Sequence, residues 1–458
     1  GRTIESVDAE TFVSTFSNDA SGNRLAVRDP NNVGQDCTYD ALNRDISCTD
    51  TQGDATSKEY DLAGNITKTI DAKLAETLCS FDARNRQVQC TNRVGSVTQW
   101  GYDANGNLLS LLDGDNFDSG GDATIYTYDA RNLKTSEAFP GHGPTSNIGD
   151  ADYDLVSFSY DAARRISVKT DQQGDTSTHN YDLAGRLTTR DYLGGTISPL
   201  VGQSDSDTFA YDNAGRMTSA TSGRYTNVVA MGYDNASRLV SESLTAYGQT
   251  YTVGSGFDVA NRKTSITYPD GTLVERAYSD RNQLSQIKYA GSIIDTRTYD
   301  PGQRLATSMY GNGIGTTWSY RNDNLVSSIT RTNLTGADFG YSYDSNKNKT
   351  SETISGVMSA YGFSTTSYDN QDRLTSWNRT DGALNQSWNL SKEGDWNSFT
   401  ENTVTETRTH TGVHELTTID TTPLTYDSKG NLTTNSNGQV YGWDFDNRMA
   451  SATVPVGA

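Results

Sequence analysis

The chain has 458 residues, a formal net charge of −20, 33% hydrophobic residues, and 26 tyrosines against 8 prolines. That charge excludes a nucleic-acid backbone or an anionic membrane as the main partner, and no apolar run reaches the length of a transmembrane helix. Hydrophobic content is low, but 10% aromatics in regular patterns favour a folded chain over a disordered one. The sequence opens at Gly1 without Met or a signal peptide, so a processed chain or an excerpt of a larger one is expected.

Read from the N-terminus, one short unit returns again and again. A weak copy, "NDASGNRL", begins at Asn18. "CTYDALNRDISC" (Cys37 to Cys48), "YDLAGNI" from Tyr60, "CSFDARNRQVQC" (Cys79 to Cys90) and "YDANGNL" from Tyr102 follow, with Tyr39, Tyr60, Phe81 and Tyr102 spaced 21 residues apart. The unit is an aromatic residue, Asp, two variable residues, Gly or Asn, Asn or Arg, then an apolar residue. It carries the pairs Tyr39-Asp40, Tyr60-Asp61, Phe81-Asp82, Tyr102-Asp103, Tyr181-Asp182, Tyr211-Asp212, Tyr299-Asp300 and Tyr426-Asp427, among others. Counting degenerate copies, about 20 units run nearly end to end, as expected of a repeat array. A single array over residues 1–458 is the expected domain organisation.

The unit reads as a β-hairpin. Residues before the aromatic alternate in polarity, as in "TIYTYD", which is a strand pattern. Asp opens a turn because its carboxylate accepts hydrogen bonds from backbone N–H groups ahead of it. Gly or Asn at the fifth position tolerates positive φ. The apolar residue then opens the return strand. A lone hairpin is marginal in water, but tandem hairpins pair side by side. The fold expected is all-β: a continuous antiparallel sheet of such hairpins that sheet twist coils into a spiral, a hollow barrel or a shell.

The four cysteines fall symmetrically about two of these turns. Directly opposed residues on adjacent strands lie within disulfide range, so Cys37–Cys48 and Cys79–Cys90 are the pairs expected among three connectivities. The alternative is four reduced thiols. The spacings do not resemble a zinc pattern. Disulfides imply a secreted or cell-surface location.

Three insertions interrupt the rhythm, at about 112–124, 139–154 and 191–207. In the first, "DGDNFDSGGD", Asp113, Asp115, Asp118 and Asp122 are weak Ca²⁺ candidates, without the full EF-hand pattern and against the plainer reading of a solvated acidic loop. The other two are the loops where an active site would sit. There His142, His179 and Tyr192 are general acid–base candidates with nearby acids, although nothing fixes a nucleophile. "HTGVHE" (His410, His414, Glu415) has metal-like spacing only on a helix, and in repeat register it is a degenerate unit, with His410 in the aromatic slot and His414 in the Gly/Asn slot. No other cofactor is implied.

The units "YDLAGRL", "YDNAGRM" and "YDPGQRL", with "ITYPDGTLVERAYSDRNQL" and the closing "LTYDSKGNLTTNSNGQVYGWDFDNRM", resemble the YD repeats of the RHS/YD-repeat family. That family includes bacterial RHS polymorphic toxins, shell subunits of insecticidal toxin complexes, and teneurins. The resemblance covers essentially the whole chain. It implies a hollow β-shell that encloses or presents a C-terminal effector of the parent chain. It carries no self-cleavage or toxin residue onto any position here, because no such segment is legible after Trp443-Asp444. Two other readings stand beside it: a surface module binding an extracellular protein or glycan, and a polysaccharide lyase or hydrolase on the same scaffold. Self-assembly is a further expectation, since an array cut at both ends leaves strand edges unpaired.

Overall fold

The structure is a computed structural model that describes residues 2–140, 154–193, 205–444 and 446–453. It is almost entirely β. Strands from Glu5–Val7 to Thr422–Pro423 form one antiparallel sheet of 38 strands, and four short strands between Thr425 and Thr453 form a second sheet. The only α-helix among the described residues, Gly114–Ser119, lies in the first insertion, and a 3₁₀ turn spans Gly356–Tyr361.

The hairpin at Tyr211 shows why the unit folds. The Asp212 carboxylate accepts from the backbone N–H groups of Ala214 (2.9 Å) and Arg216 (3.0 Å) through Oδ1, and from Arg216 Nε (2.7 Å) through Oδ2. Gly215 takes φ +83° and donates to the Asp212 carbonyl. Tyr211 pairs with Met217 while Ala210 pairs with Ser219, so one residue bulges on the return strand. The same shift recurs at Tyr60 and Tyr299. These hydrogen bonds favour the charged carboxylate: at Asp82, the Arg86 backbone amide and guanidinium lower the pKa to about 2. The fifth position is broader than Gly or Asn. Ser237, Gln303 and Lys347 adopt φ of +62°, +70° and +72° there, held by the surrounding turn.

Two contacts recur between neighbouring hairpins. The Tyr60 hydroxyl donates to the Asp45 carbonyl (2.9 Å), and Tyr181, Tyr299 and Tyr320 repeat this on Ile166, Leu284 and Leu305. Trp443 does the same through Nε1 on the Leu432 carbonyl. The turn Arg then lies over the next aromatic, with Arg44 4.4 Å from the Tyr60 ring and Arg216 4.8 Å from Tyr233. Tyr299→Phe therefore costs about 1 kcal/mol, read as faster amide exchange in Leu284–Tyr289 and Ser292–Tyr299. Unchanged exchange would show that the hydroxyl contributes nothing.

Cys37 and Cys48 face each other in register and are disulfide-bonded, as are Cys79 and Cys90. No described cysteine is free.

Contacts divide the chain into two compact units. Unit 1 comprises Gly1–Gly95, Ser255–Asn389 and Thr400–Val404; unit 2 comprises Ser96–Gly254, Leu390–Phe399 and Thr405–Ala458. Each hairpin has the YD turn at one end and a connecting turn, here the far turn, at the other. Within unit 1, YD turns of the later stretch meet far turns of the earlier one. Lys347 Nζ reaches Asp50 (2.5 Å), Asp54 (2.6 Å) and Asp323 (3.1 Å), Arg93 and Lys73 meet Asp372, and Arg281 meets Asp8. Within unit 2 the same kind of seam places Lys429 between Asp171 (2.5 Å) and Asp175 (3.0 Å), and Arg224 between Asp205 and Asp444. Polar groups therefore share the interior with apolar ones: Asp175, Asp205 and Asp444 are buried alongside Val33, Ala138 and Val156.

Candidate functional site

Two polar constellations in unit 2 involve the residues singled out above. The first lies on strands Thr176–Tyr181 and Leu187–Leu193. Ser177 pairs with Tyr192 and His179 with Arg190, so alternation places all four on one face. The Tyr192 hydroxyl sits between carboxylates, 3.1 Å from Asp446 and 3.3 Å from Asp207, and Arg190 bonds Asp207 at 2.8 Å. Burial, then the Asp446 charge, raise the Tyr192 pKa far above its usual value, so the phenol stays protonated. Burial, then the nearby Arg190 cation, lower that of His179, favouring a neutral ring. A cavity of about 60 Å³ beside Tyr192 is lined by Lys169, Asp171, Asp175 and Asp446. Chemically this is a locked hydrogen-bond donor in a seam of ion pairs. The Tyr192 phenol, held protonated, can donate but not accept a proton. His142 lies outside the described residues, as do 141–153 and 194–204 within the second and third insertions.

The second constellation joins the acidic insertion to two turns far along the chain. Asp113 caps the short helix by accepting from the Asn116 N–H, and Asn116 Nδ2 donates to the Gly412 carbonyl at 2.7 Å. Asp115 accepts from Ser391 Oγ (2.7 Å), and Asp118 pairs with Lys392 (2.7 Å). Asp122 follows the helix. His414, at φ +66° in the Gly/Asn slot, bonds Asp395 through Nδ1 at 2.7 Å and faces Asp113 and Asp115 at 3.8 and 4.0 Å. Of the four Ca²⁺ candidates, only Asp115 belongs to a group close enough to share an ion, with Asp395 and His414. The other such group among the described residues, Asp50, Asp54 and Asp323, already surrounds the Lys347 ammonium.

His414 therefore acts as a cationic latch. The facing Asp113 carboxylate, then the hydrogen-bonded Asp395, raises its pKa from 6.5 to about 9. Because the folded-state pKa is raised, the contribution is fully present below about pH 6.5 and is lost as pH rises through about 9. With the side chain 36% exposed, solvent screening leaves about 1 kcal/mol. Exchange of amides 113–122 is expected to quicken about fivefold between pH 6.5 and 9 after correction for intrinsic rates. His414→Asn keeps a residue that tolerates positive φ and should abolish that pH dependence. Persistence of the dependence in the variant would refute the latch.

Sequence reasoning did not find Lys347, Lys429, Asp395 or Asp446. The trace was present: Lys347 and Lys429 stand at turn tips, in "YDSNKNK" and "YDSKGNL", where most units carry small or amide residues.

Fold and sites together define an antiparallel hairpin-repeat array whose polar clusters join turn to turn. No family model matches the sequence, and no curated protein matches it. Solved structures do match. A crystal structure of TcdB2-TccC3-Cdc42 is similar with a TM-score of 0.79 and 14% identity over 96% of this chain and 26% of that chain. A crystal structure of TcdB2-TccC3 gives 0.79 and 15% over 96% and 27%. A Photorhabdus luminescens Tc holotoxin pore gives 0.78 and 15% over 96% and 26%. The chain spans about a quarter of the length of these proteins, and shares their fold.

Proposed function

We propose that this chain is part of the wall of a hollow shell, a single array of YD hairpins that encloses or presents a C-terminal effector of a longer polypeptide. One observation carries the reading: the match to TcdB2-TccC3, proteins of a Tc toxin, over 96% of the chain. The wall works by shape. Turn carboxylates, tyrosine hydroxyls and the ion pairs within each unit hold a sheet that isolates a polypeptide from solvent and proteases. Two disulfides suit a protein that operates outside the cell. The test uses the complete polypeptide containing these residues, digested under native conditions with a non-specific protease. A downstream segment that survives with the array, yet is degraded rapidly when expressed alone, supports the shell. A segment degraded equally fast in both settings overturns it.

A further inference from the structure

Two groups of side chains among the described residues stand close enough together to share a cation, and the fold fills them differently. In unit 1, Asp50, Asp54 and Asp323 surround the Lys347 ammonium, so the cation belongs to the chain. In unit 2, Asp115 and Asp395 converge on His414. Here a cavity of about 490 Å³ opens beside the group, lined by Asp115, Asp395, Ser391, Asn397 and His410. Three separate stretches of unit 2 build the group: the first insertion, the turn at 391–395 and the turn at 411–415.

The charge there is unbalanced. Asp113, Asp115 and Asp395 all face the single imidazole, while Lys392 is engaged by Asp118. Burial, then the Asp395 and Glu393 charges, raise the Asp115 pKa despite the hydrogen bond from Ser391. Turn acids such as Asp61, Asp82 and Asp212 shift the other way. The distances suit an ion bound in between. Ligands about 2.0–2.2 Å from a tetrahedral zinc lie about 3.4 Å from one another. His414 Nδ1 stands 2.7 Å from Asp395 and 4.0 Å from Asp115, so the two separations bracket that value. Nε2 faces Asp113 at 3.8 Å, on the side where a metal-bound imidazole gives its other N–H to a carboxylate.

We propose that Asp115, Asp395 and His414 bind a divalent transition ion of the zinc class. Each carboxylate gives one oxygen, the imidazole gives Nδ1, and the remaining coordination position opens toward the cavity, where water completes the shell. The imidazole decides the class of ion. Ca²⁺ takes about six to eight oxygen ligands, whereas imidazole suits zinc. Asp113 and Ser391 orient the ligands from outside, one at Nε2 and the other at the Asp115 carboxylate. Proton and ion exclude one another on Nδ1, because only neutral imidazole binds a metal. The cationic latch therefore holds the metal-free protein, and the ion takes over the same joint between the three stretches.

Calorimetric titration of the 458-residue chain with ZnCl₂ tests this, in excess Ca²⁺ so that surface carboxylates offering oxygen alone are occupied. One Zn²⁺ per chain should bind in the tightest class. The ring-nitrogen signals of His414, one of only four histidines, should shift in NMR spectra on binding. Asp115→Asn and His414→Asn, each with an unchanged circular dichroism spectrum, should weaken binding at least about tenfold, since even outer-shell losses cost that much. His410→Phe restores the aromatic usual in that slot and removes a cavity-lining nitrogen from outside the group, so it should bind Zn²⁺ as the parent does. A chain that takes up no Zn²⁺ under these conditions overturns the proposal. So does binding unchanged in both Asp115→Asn and His414→Asn, binding that His410→Phe alone abolishes, or Zn²⁺ uptake that Ca²⁺ suppresses.

Discussion

Lys347→Ala is expected to destabilise unit 1 by about 2–4 kcal/mol, among the largest effects available from one side chain, because removing one partner leaves the opposite charges uncompensated. The Lys347 ammonium lies within 3.1 Å of Asp50, Asp54 and Asp323, and the Asp323 side chain is only 2% exposed. Burial opposes the charge, but the hydrogen bonds that Lys347 donates to Asp50 and Asp54, with the nearby Asp323 charge, outweigh it and hold the Lys347 pKa well above its usual value. Without the lysine, Arg321 remains for Asp323 at 3.0 Å, while Asp50 and Asp54 lose their shared cation. Chemical denaturation gives the total, and hydrogen exchange places it at residues 50–54 and 321–325. The sign with pH is diagnostic. In the parent, Lys347 lowers the Asp50 pKa, so that part of the stability is lost as pH falls and the variant's deficit should shrink as pH falls toward 4. Asp323→Asn added to Lys347→Ala should recover part of the loss. A variant as stable as the parent, with ordinary exchange at both turns, would show that the seam contributes nothing.

Reducing both disulfides should have the next largest effect, concentrated near the N-terminus. Cys37–Cys48 and Cys79–Cys90 each close a separation of 11 residues, for which the loop-entropy estimate is about 3 kcal/mol. In a repeat array, that loss appears as local opening rather than global unfolding. Exchange in Gly34–Tyr39, Asp45–Asp50, Glu76–Phe81 and Gln87–Thr91 should accelerate up to about a hundredfold. The unbridged hairpin between them, Ala55–Tyr60 with Ile66–Ile70, should change less. Cys-to-Ser pairs should reproduce the effect one hairpin at a time. Equal protection in oxidised and reduced protein would leave the bridges without a mechanical role.

The candidate sites were legible in part, and the division is physical. His179 and Tyr192 were picked as acid–base groups because they flank an insertion. The structure places them on one face, but it locks the phenol between Asp446 and Asp207, and Asp446 lies 254 residues beyond Tyr192. The "HTGVHE" unit behaved as its register implied, with His414 in the positive-φ slot. Its three carboxylate neighbours, from two other segments, could not be read from spacing.

Local geometry was written in the sequence. The aromatic-Asp pair, the residue that accepts positive φ, the 21-residue rhythm and the facing cysteines all act over a dozen residues or fewer, or repeat something that does. Turn chemistry and strand alternation are short-range, so the hairpin and its tandem pairing follow from them directly. Which turns meet across a unit did not follow. Lys347 with Asp50, Lys429 with Asp171 and His414 with Asp113 join residues hundreds of positions apart. Those pairings depend on how many hairpins separate two stretches and how far each twists, and small differences in twist accumulate over many strands. The tyrosines at 268, 289 and 310, which open far turns where the earlier stretch has Asp29, Asp50 and Asp71, show the same limit. Their period is plain in the sequence, but only the tertiary structure shows that the acids at the matching positions are covered and the tyrosines are not.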